Sequence, residues 1–282
     1  MVDMNTFLTS FKRTLNLRTL LSAIAVTALC FFSHMLTGDY ENPPTQLELT
    51  AKAFAGDNKN GYTLQQIISA FENSFWFYIA LPVVISLPAV SDFYDEWFGG
   101  GFFLSVHRQQ IFKYCVSKSA AYALNAAAVF LVGFGIFSAV VSAAFPSCDA
   151  ELLTALYPDS FFMYIAERVL NVTAVGAVCP VVTVLILILI KEKFLALSIP
   201  MLVNYITAQI GGFLTARSYN EENPLLMKLA YLLPRYQFSQ SSGFTSAYNL
   251  PLYVRYIAWA LFFALCAAGF IGLVKRRVKN GG

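Results

Sequence analysis

The sequence predicts an all-α integral membrane protein: six transmembrane helices, an amphipathic interfacial helix at the amino end and a polar segment between the second and third spans. Three observations carry this. Hydrophobic residues make up 57% of the 282 positions and charged residues only 12%, against roughly a quarter charged in a soluble domain. The apolar residues fall in continuous runs rather than alternating ones, which in hydrocarbon favours helices over a closed barrel. The basic residues gather in alternate connections between those runs, as the positive-inside rule requires of a multi-pass chain.

Met4, Phe7, Leu8, Phe11 and Leu15 recur at helical spacing with Asn5, Thr9, Lys12 and Asn16 between them. This pattern describes a helix over residues 1–17 that lies on a membrane surface. Runs able to cross a hydrocarbon core of ~30 Å follow at 19–36, 75–90, 116–144, 164–190, 194–215 and 254–274. No compact charged region and small-residue cleavage site precede the first run, so it is expected to be retained as a span. Pro82 and Pro88 in the second, Pro180 in the fourth and Pro200 in the fifth each remove a helical hydrogen bond and predict kinks. Lys191, Glu192 and Lys193 alone separate the fourth and fifth spans, which makes these two a hairpin. The whole of 1–282 reads as a single transmembrane domain.

With the amino end in the cytoplasm, the inner segments hold Lys12, Arg13, Arg18, Arg108, Lys113, Lys118, Lys191, Lys193, Lys275, Arg276, Arg277 and Lys279. These are 12 of the 19 Lys and Arg, although the outer segments are longer. Both termini are therefore expected in the cytoplasm, and the chain in a cell membrane of bacterial type. The segments 38–72 and 217–252 are expected outside, the first as a polar loop or small elaboration containing Pro43, Pro44, Gly56 and Gly61. The second should contain a short amphipathic helix around Pro224, Leu225, Leu226, Leu229, Leu232 and Leu233.

Composition also excludes functions. A net charge of +3 with scattered basic residues gives no footprint for nucleic acid. Cys30, Cys115, Cys148, Cys179 and Cys266 form an odd set without metal-ligand spacing, and neither a GxxxxGK[ST] phosphate loop nor an HExxH motif occurs. His34 and His107 fall near opposite faces of the membrane. No catalytic, cofactor or metal residues are expected in the chain. Glu167-Arg168, near the outer end of the fourth span, is a candidate substrate contact, although such pairs more often snorkel to the interface. Asn171 with Thr173 in the fourth span, Asn125 in the third, and Asn204, Thr207, Gly211 and Thr215 on one face of the fifth are polar groups that need partners. Of these, Asn171, Asn204 and Thr207 are candidates for a substrate pathway. Ala264, Ala268 and Gly272 in the last span have small-xxx-small spacing that suits close helix packing.

The most informative stretch lies between the second and third spans, at 92–115. It contains Asp92-Phe93-Tyr94-Asp95-Glu96-Trp97-Phe98, then Gly99, Gly100 and Gly101, Phe102-Phe103-Leu104, Val106-His107-Arg108 and Lys113. Acidic residues beside aromatics, a glycine break and a short amphipathic helix suit a cytoplasmic element that docks a soluble partner. In this stretch the chain resembles the permease subunits of ABC exporters of the type-2 family, which have six spans. The resemblance rests on Glu96, Gly99 to Gly101, Phe103-Leu104, His107-Arg108 and Ser117-Lys118, with Ser105-Val106 where the family usually has a proline. The amino-terminal helix, the hairpin at 191–193 and the outer amphipathic segment extend it over nearly the whole chain.

The resemblance implies a coupling helix in 92–115, with Asp95, Glu96, Gly99, Gly100, Phe103, His107, Arg108, Lys113 and Lys118 as ATPase-coupling residues. It implies a separate ABC ATPase in two copies, which holds ATP and Mg, and a second permease half, identical or a sibling. The substrate would be a peptide, antibiotic, lipid-linked molecule or other amphiphile. A secondary transporter or channel, a membrane-embedded enzyme and an assembly protein are the other readings. The enzyme lacks a convergent polar constellation, and a secondary transporter would usually show repeated halves with ionisable groups near the midplane.

Overall fold

The computed structural model describes residues 4–33, 43–56, 62–72, 75–107, 110–147, 161–221, 223–231, 233 and 252–279. They form α1 (Met4–Thr14), α2 (Leu17–Phe31), α3 (Gln46–Ala55), α4 (Thr63–Glu72), α5 (Phe75–Phe98) and α6 (Gly101–His107). Then come α7 (Ile111–Ala144), α8 (Phe161–Ile190), α9 (Lys193–Glu221), α10 (Pro224–Tyr231) and α11 (Leu252–Lys279). The all-α architecture of a membrane protein is what the sequence predicts.

Among the described residues, four helices are long and apolar enough to cross a bilayer: Ile111–Ala144, Val169–Ile190, Lys193–Ser218 and Tyr256–Lys279. A fifth crossing arises if α1 and α2, which meet at 61°, are taken as one broken span. The sixth expected span is α5. Its 24 residues would extend about 36 Å, but Asp92, Asp95 and Glu96 occupy its last two turns. Pro82 and Pro88 lie inside α5, Pro180 inside α8 and Pro200 inside α9, and each helix continues through its proline.

The bend between α1 and α2 is built locally. The Asn16 side chain caps α2 by accepting from the Arg18 N–H at 2.9 Å, and its amide donates to the Arg13 carbonyl at 3.0 Å. One asparagine thus satisfies the end of one helix and the start of the next. α1 then packs along α7 through Ser10 and Thr14, both buried, and exposes Met4, Leu8 and Leu15. Ser10 and Thr14 are turned inward, Phe7 and Phe11 are half-buried beside them, and Met4, Leu8 and Leu15 are left exposed, as on a helix that lies at a membrane surface.

The segment 38–72, expected as a polar loop or small elaboration, contains two helices among its described residues. Thr45 accepts from the Glu48 N–H at 3.2 Å and Glu48 reaches back to the Thr45 N–H, a reciprocal capping box that starts α3. Gly56, in the left-handed region at φ +83°, ends it. The Thr-x-x-Glu spacing and the closing glycine were both visible in the sequence.

The bundle has two ends of different character. At one, Gln46 N–H bonds the Ser33 carbonyl, and Thr63 donates to the carbonyls of Phe145 and Pro146, so α3 and α4 cover the tops of α2 and α7. A core of Val26, Leu49, Phe77, Phe130, Phe137 and Val141 fills this half. At the other end Phe93, Trp97, Phe102, Tyr114, Leu187 and Phe270 join α5, α6, α7, α8 and α11. Lys191, the hinge of the α8–α9 hairpin at φ +65°, and the basic tail of α11 belong to this second end.

Where α2 crosses α7, the backbones approach closely. A Cβ on Gly133 would lie 2.5 Å from the Ala23 carbonyl oxygen and 2.7 Å from Val26 Cβ. Thr27 hydroxyl donates to the Gly133 carbonyl at 2.8 Å across the same crossing.

Candidate functional site

The polar segment at 92–115 is resolved into three parts. Asp92–Phe98 forms the last two turns of α5, Gly99 and Gly100 break the helix, and α6 is a separate two-turn piece before α7. The break needs these glycines. A Cβ on Gly99 would sit 2.3 Å from the Asp95 carbonyl oxygen, and Gly100 has φ +82°, a region that residues with a Cβ populate poorly.

Aromatic side chains close the elbow. Trp97 lies 4.3 Å from Phe102 between ring centroids, Phe93 lies 5.1 Å from Trp97, and Phe102 meets Tyr114 edge-on at 6.0 Å. Arg277 of α11 covers the Trp97 ring at 4.0 Å and donates to the Trp97 carbonyl at 3.4 Å. Lys193 of α9 stands over Tyr94 at 5.9 Å. The elbow therefore touches the neighbouring ends of α7, α9 and α11.

Beneath the aromatics is a buried ion ladder. Lys118, one of the most enclosed side chains described at 1% exposure, pairs with Asp92 at 3.1 Å and with Glu96. Asp92 and Glu96 are one turn apart on α5, and Lys118 has Tyr114 one turn before it and Tyr122 one turn after it on α7. Because α5 and α7 run antiparallel, Tyr114 donates to Glu96 at 2.9 Å and Tyr122 to Asp92 at 2.8 Å. Each carboxylate thus takes one phenol and shares one ammonium, whose cost of burial such pairing offsets. The ammonium also lies between the two tyrosine rings, 5.7 Å and 5.6 Å from their centroids.

Two arginines approach from the amino-terminal segment. Arg13 of α1 is 3.8 Å from Glu96, and Arg18 of α2 bonds Asp95 at 3.0 Å. The second pair is solvent-exposed on both sides, so it contributes little to stability, at most about 1 kcal/mol.

The predicted coupling residues thus divide by environment. Glu96 and Lys118 are enclosed and pair with each other, so they offer no surface to a partner and instead hold the base of the elbow. Asp95, Gly99, Gly100 and Lys113 are exposed. The side chains of Phe103, His107 and Arg108 lie outside the described residues. Asp92, Tyr114 and Tyr122 complete the ladder and were not singled out as site residues from sequence. Their signal was present as Asp92/Glu96 at i, i+4 and Tyr114/Lys118/Tyr122 at the same period, two faces written for each other.

Of the pathway residues, Asn204 is buried and lines a small cavity of about 120 Å³ with Pro82, Cys179, Pro200 and Trp259, between α5, α8, α9 and α11. Thr207 hydroxyl donates to the Asn204 carbonyl at 3.1 Å. Asn171 is buried one turn before Val175, another lining residue, and its side-chain amide nitrogen has no partner. The side chains of Glu167 and Arg168 lie outside the described residues. Ala264, Ala268 and Gly272 are exposed on α11.

No protein-family model matches the chain, and no curated protein matches it.

Proposed function

We propose that this chain is the membrane half of an ATP-driven exporter of the ABC type-2 kind. It would be a six-span permease that moves an amphiphile across a bacterial cytoplasmic membrane while a separate ATPase, with its ATP and Mg, supplies the energy. The observation that carries the reading is the elbow at the charged end. α6 hangs from a glycine hinge, its base is clamped by aromatic stacking and the Asp92–Lys118–Glu96 ladder, and both α5 and α7 continue from it deep into the bundle. A force applied to α6 and to the exposed Asp95 and Lys113 is then delivered to two long helices rather than absorbed by a loop. α1 and the α8–α9 hairpin meet the same end, which gives a partner a single face to push. The cavity at Asn204, with Asn171 and Thr207 nearby, is the part of the bundle suited to an amphiphile's polar group.

A second reading draws on one observation. Ionisable residues enclosed within a membrane bundle commonly mark ion or proton pathways, so the ladder itself favours a secondary transporter.

The deciding experiment is to co-express the tagged chain with its genomic neighbours, purify it, determine the mass of the complex and measure ATP hydrolysis. The expected product contains two permease halves and two copies of an ABC ATPase, and the isolated chain neither binds nor hydrolyses ATP. Transport by the lone chain under an ion gradient, with no ATPase present, would promote the second reading. A complex with two unlike permeases would keep the mechanism and change only its symmetry.

Orientation is tested separately. In a cysteine-free background, Lys52→Cys on α3 should react with an impermeant thiol reagent in intact cells. Leu104→Cys on α6, 65% exposed, should react only after lysis. Labelling of Leu104→Cys from outside would invert the proposed orientation and remove α6 from any cytoplasmic ATPase.

A further inference from the structure

The charge balance of the ladder points to a conformational device that the exporter reading does not require. Two buried carboxylates, Asp92 and Glu96, face one buried ammonium, Lys118. Tyr114 and Tyr122 donate hydrogen bonds but bring no charge. Arg13 of α1, 3.8 Å from Glu96 and itself largely exposed, is the second cation in reach. With α1 seated on α7 the group is neutral; with α1 lifted away it keeps one uncompensated negative charge in an enclosed place, which is costly unless a proton is taken up.

We infer that α1 is a proton-linked latch: its departure from α7 is coupled to uptake of one proton by Glu96, the carboxyl that Arg13 approaches, so acid favours the undocked position. The state that binds the extra proton gains population as pH falls, by at most about tenfold per pH unit for one proton.

The seat of α1 suits such a movement. It is held by the small buried Ser10 and Thr14 with the half-buried Phe7 and Phe11, while Met4, Leu8 and Leu15 are exposed. It joins α2 at a 61° bend at Leu15–Asn16, about which a swing would turn. The other charged and titratable groups around the pair, among the described residues, have their own partners. Arg18 of α2 bonds Asp95, Lys193 of α9 covers Tyr94, and Arg277 of α11 covers Trp97. On α6 the Ser105 hydroxyl approaches Glu96 without charge, and among the charged residues described on α8 none faces the pair.

The test uses the full chain in nanodiscs of phosphatidylcholine, whose headgroup does not titrate in the range used. Nitroxides on cysteines at the exposed positions Leu8 of α1 and Leu131 of α7 report their separation by pulsed electron spin resonance. Between pH 7.5 and pH 5.5 a second, altered distance should grow, displaced by about a helical turn, ~5 Å. Arg13→Gln, a surface change, should show that second distance already at pH 7.5. Glu96→Gln or Asp92→Asn, each imitating the protonated state, should show the second distance at both values, since Lys118 alone then balances the remaining charge. Asp95→Asn, which removes only the exposed pair with Arg18, should leave the response intact. An unchanged distance in the parent protein would overturn the latch, and this arm needs no substitution in the core. A response abolished by Asp95→Asn, or one unaltered by Arg13→Gln, would overturn it as well.

Discussion

Replacing Lys118 with methionine should destabilise the protein by about 3–5 kcal/mol, the range seen when one partner of a buried ion pair is removed. Methionine fills the space of the aliphatic stem, so the loss is electrostatic rather than a cavity. Asp92 and Glu96 would then face each other across one turn of α5 with hydroxyl groups and the exposed Arg13, 3.8 Å from Glu96, to answer them. Thermal unfolding of the purified protein, followed by loss of monodispersity, measures the effect. The sharper test is the triple substitution Lys118→Met with Asp92→Asn and Glu96→Gln. Removing all three charges should recover most of the lost stability, because an uncharged group of similar shape requires no compensation. If Lys118→Met alone unfolds no earlier than the parent protein, the ladder does not hold the base of the elbow. The force-transmission argument for α6 would then lose its footing.

The burial of Glu96 also changes what its reversal can report. Read from sequence as a surface contact, Glu96→Lys would test partner docking with the fold intact. Enclosed against Lys118 and Tyr114, the same change sets two ammonium groups together inside the bundle and is a folding lesion. Asp95 and Lys113, both exposed, are the positions where a charge reversal reads docking.

How far the sequence reached follows from which forces act locally. Spans are a matter of composition over some twenty residues, so α7, α8, α9 and α11 were legible as continuous apolar runs. The amphipathic character of α1 was legible as a period, but which face would pack was not. Ser10 and Thr14 are buried, Phe7 and Phe11 half-buried, and Met4, Leu8 and Leu15 exposed. The glycine break was likewise legible at Gly99–Gly100. The ladder was not, because its register depends on how α5 lies against α7. Asp92, Glu96, Tyr114, Lys118 and Tyr122 show only that each helix carries a polar stripe, and antiparallel packing pairs the stripes rung by rung. A polar stretch in a hydrophobic sequence was therefore taken for surface, when two such stretches had neutralised each other inside.

Gly133, at the crossing of α2 and α7, is expected to be sensitive to any added side chain. Gly133→Ala places a methyl group 2.5 Å from the Ala23 carbonyl oxygen and within 3 Å of two Val26 carbons, so α2 and α7 must move apart. The obstacle is largely backbone, which cannot rotate out of the way as a side-chain tip would. Separation also stretches the Thr27 to Gly133 hydrogen bond of 2.8 Å and opens the core between Val26 and Phe130. Overpacking of this kind costs about 1–3 kcal/mol, and Gly133→Leu should exceed that and prevent recovery of folded protein. Gly135, two residues on along the same helix, is the matched control: a Cβ there meets nothing within 4 Å. Gly135→Ala should be neutral or stabilising by up to ~1 kcal/mol, since alanine loses less backbone entropy in a helix. Thermal unfolding of the two alanine variants side by side separates close helix packing from glycine content as such. Equal melting of both would mean that α2 and α7 do not cross at Gly133. A drop confined to Gly133→Ala, together with faster hydrogen exchange in α2, would locate the crossing on which the seating of the α1–α2 bend depends.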